Sequence, residues 1–256
     1  MRNYGLRFTN YAFSVQHFLL ALSFLTILPS RTEAPRPGDI GRAAVWFPLI
    51  GLFIGGILAG AHYGLSLIFQ PPLAAAMIVA LWAAITGGLH LDGLADCCDG
   101  LFATTTPERR LEIMRDPRLG SFGVIGLILF LILKVLAITM LDSTATTTLV
   151  LLLAPAFGRW LILFVALQPT ARPGGLGADF GLGLKPHTFA LAAAVPLMLT
   201  LVFFSPRALA AVAAAHLVTF GVILIARSRL GGVTGDVFGL TVELAELAVL
   251  LTFAAN

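Results

Sequence analysis

Charge is scarce. Asp, Glu, Lys and Arg make up 11% of the chain against 58% hydrophobic residues, and the mean hydropathy is +0.95. Soluble domains carry about 25% charged residues, so a soluble fold is excluded and a multi-pass membrane protein is expected. Cysteine is nearly absent. Cys97 and Cys98 are adjacent, which rules out a long-range disulfide within the chain and suits a reducing, cytoplasm-facing setting; both read as small apolar residues rather than metal ligands. The net charge of +3 is small and its basic residues are scattered, which argues against a nucleic-acid partner. A small-x-small cleavage site is missing where the first apolar run ends at Leu28-Pro29-Ser30. Despite Arg2 and Arg7 ahead of it, that run is expected to stay in the mature protein. With no soluble domain, low-complexity tract or fixed-period repeat, residues 1–256 read as a single integral-membrane domain.

Apolar runs fill the rest. Tyr11 to Leu28, interrupted by Ser14, Gln16, His17 and Ser23, is barely long enough for a bilayer core of about 30 Å and is expected to be interfacial or re-entrant. Further spans are predicted at residues 43–69, 73–89, 122–141, 148–167, 188–204, 208–226 and 237–254. The predicted fold is all-α, a polytopic transmembrane helical bundle of about seven spans plus that N-terminal helix. Gly51-x-x-x-Gly55 and Gly56-x-x-x-Gly60 both have the spacing that lets helices approach closely. Thr106-Pro107 opens a surface helix with Leu111 and Met114 on one side and Arg109, Arg110, Glu112 and Arg115 on the other. Short cytoplasmic loops carry the basic excess. Seven spans put Arg2, Arg7, Arg31, Arg36, Arg42, Arg109, Arg110, Arg115, Arg118, Arg172, Lys185, Arg227 and Arg229 on one side and Arg207 alone on the other.

Against that background the stretch Thr86 to Gly100 stands out. Its Asp92, Asp96 and Asp99 are spaced i, i+4 and i+7, one helical stripe at 3.6 residues per turn. One acid near a helix end is ordinarily a cap or a solvated group. Three on one stripe repel each other, and each costs about 2.5–3.5 kcal/mol to carry into hydrocarbon, so a water-filled cavity and a bound cation are expected. Oxygen ligands favour Mg²⁺, or Mn²⁺, over zinc. Asp236, flanked by Gly235 and by Gly239 one turn on, opens the last span, and Glu243 and Glu246 follow as a second acidic face. Arg115, Arg118 and Arg159 are available to substrate phosphate. The glycine-rich connection between Pro169 and Pro186, with Arg172, Asp179 and Lys185, reads either as a cover over a substrate or as a flexible linker. His90 reads as a packed or capping residue. Such a face suits transfer involving a nucleotide diphosphate.

Thr86-Gly-Gly-Leu-His-Leu-Asp-Gly-Leu-Ala-Asp-Cys-Cys-Asp-Gly-Leu101, Glu112-Ile-Met-Arg-Asp-Pro-Arg-Leu-Gly-Ser-Phe-Gly123 and Gly231-Gly-Val-Thr-Gly-Asp236 resemble the cobalamin synthase family, adenosylcobinamide-GDP ribazoletransferase. Phe24-Leu-Thr-Ile-Leu-Pro29 and Phe47-Pro-Leu-Ile-Gly51 extend the likeness over nearly the whole chain. The resemblance implies a Mg²⁺-dependent transferase of vitamin B12 assembly, in the bacterial inner membrane with its site facing the cytoplasm. Its substrates would be adenosylcobinamide-GDP and α-ribazole or its 5′-phosphate. A second copy of the chain and other corrinoid-pathway enzymes stay open as partners. On this reading Asp92, Asp96 and Asp99 hold the metal, Asp99 or Asp116 is the base, and Asp236 completes the catalytic set. Asp96-x-x-Asp99-Gly100-x-x-Ala103 is also similar to the opening of the CDP-alcohol phosphotransferase signature. Thr104 stands where that signature has Arg, however, and its downstream aspartates are missing. A prenyltransferase would also use Asp-rich helices with Mg²⁺, and an ion-coupled transporter would also place acids within its spans.

Overall fold

The structure, a computed structural model, describes residues 15–30 and 34–255. Arg2, Arg7 and Arg31 of the orientation argument lie outside these. The elements in order are α1 (Val15–Leu25), α2 (Asp39–Ala43), α3 (Phe47–Ser66), α4 (Pro71–Ile85), α5 (Leu89–Phe102), α6 (Pro107–Ile113) and α7 (Ser121–Thr139). They continue with α8 (Thr144–Ala166), α9 (Gly175–Gly183), α10 (Pro186–Ala192), α11 (Ala194–Val202), α12 (Pro206–Leu230) and α13 (Gly235–Ala254). Among the described residues the only β pairing is an isolated bridge between Thr170 and Val233. The fold is the expected all-α transmembrane bundle: among the described residues 5 helices are long and apolar enough to span, or 7 when two sharply bent pairs each count as one. Tyr11 to Ser14 of the first apolar run lie outside the described residues; the 11 described residues of α1 rise about 16 Å, less than a bilayer core.

The helix α13 is central and packs on α5, α7, α8 and α12. The spans α8 and α13 are 78% and 72% buried, whereas α7 and α12 are 28% and 33% buried and turn most of their apolar surface outward. Pro155 sits inside α8 and has no N–H to give to the Leu151 carbonyl one turn back. There α3 comes closest: a Cβ on Gly51 would strike the Pro155 carbonyl, and one on Gly55 the Leu151 carbonyl. The second glycine pair differs from expectation. Among the described residues Gly56 and Gly60 have nothing within 4 Å of a would-be Cβ, so that spacing faces away from the described helices.

Between α4 and α5 the chain bends by 93°. Gly87 and Gly88 take φ of 62° and 70°, a left-handed turn that side-chain-bearing residues rarely adopt. The acidic helix therefore turns aside from the span that delivers it. Thr106 caps α6 by accepting from the Arg109 N–H at 3.4 Å. Arg110, expected on the polar side of that helix, instead turns inward and donates to the Gly100 and Leu101 carbonyls at 3.0 and 2.7 Å. The C-terminus of α5 offers unpaired carbonyls that a buried cation satisfies. At the opposite end of the bundle Arg207 pairs with Asp142 at 3.6 Å.

Candidate functional site

Two glycines set the geometry of the site. A Cβ on Gly93 of α5 would lie 2.8 Å from the Asp236 carbonyl and 3.2 Å from the Gly239 Cα, and one on Gly239 would lie 2.9 Å from the His90 carbonyl. The backbones of α5 and α13 thus touch, and their acidic residues meet. Asp96 lies in the field of Asp92, Asp99 and Asp236, with Arg172 as the opposing charge. Asp236 Oδ2 accepts from Thr234 Oγ1 and from Arg172 Nη2, each at 3.1 Å.

Arg172 reaches Asp236 because the segment after α8 pairs with the segment before α13. Ala171 N–H donates to the Val233 carbonyl and Val233 N–H to the Pro169 carbonyl, both at 2.9 Å. The glycine-rich connection is anchored as well. Asp179 accepts from the Gly38 N–H at 2.7 Å, and Phe180 packs edge-on against Phe47 and Phe238. It covers a cavity of about 380 Å³ lined by His90, Asp92, Arg115, Arg172, Thr234 and Asp236 among others. Between cover and flexible linker, the geometry of this connection matches the cover.

Not every residue singled out in the sequence comes to this cavity. Asp99 faces the other way, its two oxygens accepting from the N–H groups of Gly120 and Gly123 at 2.7 and 2.9 Å. The carboxylate caps α7, whose first N–H groups need acceptors and whose dipole favours an anion. Asp116 is half-buried at the surface, beside a separate groove shared with Asp99 and Arg118. Hydrogen bonds from the Arg118 guanidinium lower its pKa to about 2, which makes it a weak proton acceptor. Arg159, expected at substrate phosphate, is fully buried away from the cavity and paired with Glu246. Lys134 sits against Glu243 and Glu246 at 2.8 and 2.7 Å and over the Trp82 ring at 3.8 Å. The second acidic face is therefore neutralised inside the bundle, since buried acids persist when paired. His90 is buried as expected, yet it borders the cavity, and its Nε2 has no hydrogen-bond partner among the described residues.

Sequence reasoning gave no site role to Lys134 or Thr234, and placed Arg172 only in the glycine-rich connection and on the basic side of the bundle. A lysine alone within an apolar span was itself a signal for Lys134. The pairing of Arg172 with Asp236 spans 64 positions and has no local signature.

Among the described residues no three His, Cys, Asp or Glu side chains are close enough to enclose a metal ion. The expected cage of Asp92, Asp96 and Asp99 does not form, because Asp99 is held by α7. Mg²⁺, however, ordinarily takes one or two carboxylates and fills its octahedron with waters and substrate phosphates. Crowded oxygen donors beside an arginine-lined cavity fit a magnesium ion shared with a phosphate-bearing substrate.

Fold and cavity together define a polytopic membrane protein with an acidic, arginine-bearing site at one end of its bundle. The CobS family, described as cobalamin-5-phosphate synthase, matches residues 17–254. The chain belongs to this family. It is 43% identical over 249 residues to the adenosylcobinamide-GDP ribazoletransferase of Pseudomonas paraeruginosa, covering 94% of this chain and 98% of that one. A protein of the same name from Roseiflexus sp. is 38% identical over 241 residues, covering 92% of this chain and 88% of that one. No solved structure matches the chain. A CDP-alcohol phosphotransferase, a prenyltransferase and a transporter find no support in these comparisons.

Proposed function

We propose that the chain transfers the phosphocobinamide moiety of adenosylcobinamide-GDP to α-ribazole or its 5′-phosphate, releasing GMP and forming adenosylcobalamin or its 5′-phosphate. The observation that carries this is one cavity bringing together Asp92, Arg115, Arg172 and Asp236 from distant parts of the chain, within a chain of the cobalamin-5-phosphate synthase family. A hydroxyl of the ribazole forms a bond to the cobinamide-linked phosphorus, the phosphoanhydride bond to GMP breaks, and the hydroxyl proton passes to a carboxylate.

Three aspartates could accept that proton, but Asp99 caps a helix and Asp116 is tied to Arg118 at the surface. Of the three, Asp236 alone borders the cavity, and we assign it the proton. General-base catalysis by a positioned carboxylate contributes about 10²–10⁴-fold. Arg172 fixes the orientation of Asp236, and with Arg115 it offers guanidinium donors to phosphate oxygens. Asp92 and Asp96 would hold Mg²⁺, or Mn²⁺, which when bound neutralises diphosphate charge.

We place the chain in the bacterial cytoplasmic membrane with the cavity facing the cytoplasm. The basic loops bearing Arg36, Arg42, Arg109, Arg172 and Lys185 lie on the cavity side, and Arg207 lies on the other. The test uses purified full-length protein in detergent with both substrates and Mg²⁺, following GMP by chromatography. GMP release should require both substrates, stop with EDTA and return with excess Mg²⁺. Absence of GMP, or release indifferent to the chelator, would overturn the reading.

A further inference from the structure

A second cavity, of about 420 Å³, lies on the other face of α5 and is bounded by α5, α7, α12 and α13. It has no part in the site described above. Leu129 and Leu133 of α7, Ile225 of α12 and Leu244 of α13 line it. Both α7 and α12 pack on α13 but barely on each other, so their divergence leaves an apolar cleft between two spans whose side chains are exposed to the bilayer.

Among the described residues Arg229 is the one charged residue in the lining. It stands at the end of α12, on the same side of the bundle as the acidic cavity. Among the described residues no carboxylate or hydrogen-bond acceptor engages it, whereas the neighbouring Arg227 points elsewhere, to Gln168 at 3.5 Å. An apolar cleft open to lipid, with an unmatched guanidinium at its headgroup-side mouth, complements a molecule with a hydrocarbon tail and a negative head.

We propose that this cleft is a binding site for an anionic phospholipid of the leaflet on the acidic-cavity side. One acyl chain lies between α7 and α12, and the phosphate rests on Arg229. The lipid would fill the space beside Leu94 and Cys98 of α5, the helix that carries Asp92 and Asp96, and so brace that helix from behind. Charge and shape alone carry this site, independently of the transferase reading.

Native mass spectrometry of the full-length protein tests it, after incubation in micelles with phosphatidylglycerol or with phosphatidylcholine of the same chains. Phosphatidylglycerol should be retained on the wild type in preference to phosphatidylcholine. One interfacial arginine is worth about five-fold in anionic-lipid binding, so Arg229→Gln should lower retention by about that factor while Arg229→Lys keeps it. Leu133→Trp, which fills the cleft without touching the charge, should also lower it. Arg207→Gln, at the opposite end, should leave it unchanged. Equal retention of the two lipids, or no loss with Arg229→Gln, would overturn the headgroup contact. Loss with Arg229→Gln but none with Leu133→Trp would overturn the cleft as the place of the chain.

Discussion

Two groups of acids involve α13, with Asp236 about 10–15 Å along its axis from Glu243 and Glu246, and they have opposite circumstances. Glu243 and Glu246 meet Lys134 and Arg159, two acids with two bases, sealed from solvent. Asp236 meets Asp92 and Asp96 across the crossing with α5, with Arg172 as its only ion-pair partner among the described residues. The first group is complete as it stands. The second carries excess negative charge beside a cavity, which a cation and a phosphate-bearing ligand would complete. An acid within a membrane span thus marks a site only where its countercharge is missing; where the charges balance, it holds helices together.

That contrast makes Asp96→Asn the most damaging change to turnover. Removing a charge that acts on a transferring phosphate should lower GMP release by about 10²–10³-fold, the range for a lost electrostatic contact. Thermal unfolding in detergent should be unchanged or slightly later, since the substitution also relieves repulsion from Asp92 and Asp236. Near-normal turnover would remove Asp96 from the metal site.

The balanced group should respond in stability instead. Glu246→Gln leaves Arg159 buried beside a neutral amide, a loss of about 3–5 kcal/mol in unfolding free energy. Arg159→Met combined with Glu246→Leu removes both charges of that pair and should recover most of the loss. Denaturation midpoints of the single and double variants decide it: a double variant no better than Glu246→Gln would mean the pair does more than balance charge.

The spans could be read in the sequence because hydropathy follows from composition, and so could the stripe of Asp92, Asp96 and Asp99 because helical periodicity is fixed. What those carboxylates face was not readable. Asp99 is taken by the N-terminus of α7, more than twenty positions away, and Asp236 gains Arg172 only because Thr170 and Val233 pair. Arg110 looked like a surface residue by its neighbours and is buried by the carbonyls at the end of α5. Charges three or four residues apart announce themselves locally; the countercharges that give them meaning come from other helices.

The glycines carry the same lesson and provide the gentlest test. Gly56 and Gly93 are both helical glycines, Gly56 among apolar residues and Gly93 within the acidic stretch. Gly56→Ala meets nothing within 4 Å among the described residues and should gain up to about 1 kcal/mol in helix propensity, with turnover unchanged. Gly93→Ala puts a methyl 2.8 Å from the Asp236 carbonyl, an overpacking of about 1–3 kcal/mol that offsets the same gain. Net stability should therefore shift by about 2 kcal/mol or less, readable as an unfolding midpoint. The sharper readout is kinetic. Pushing α5 from α13 separates Asp92 and Asp96 from Asp236, and a misplacement approaching 1 Å costs about 10²-fold in a positioned reaction. A fall in kcat for Gly93→Ala beyond what its stability explains would show that this crossing sets the spacing of the acids; unchanged kcat would mean that the site tolerates the shift and that the two helices are held close for packing alone.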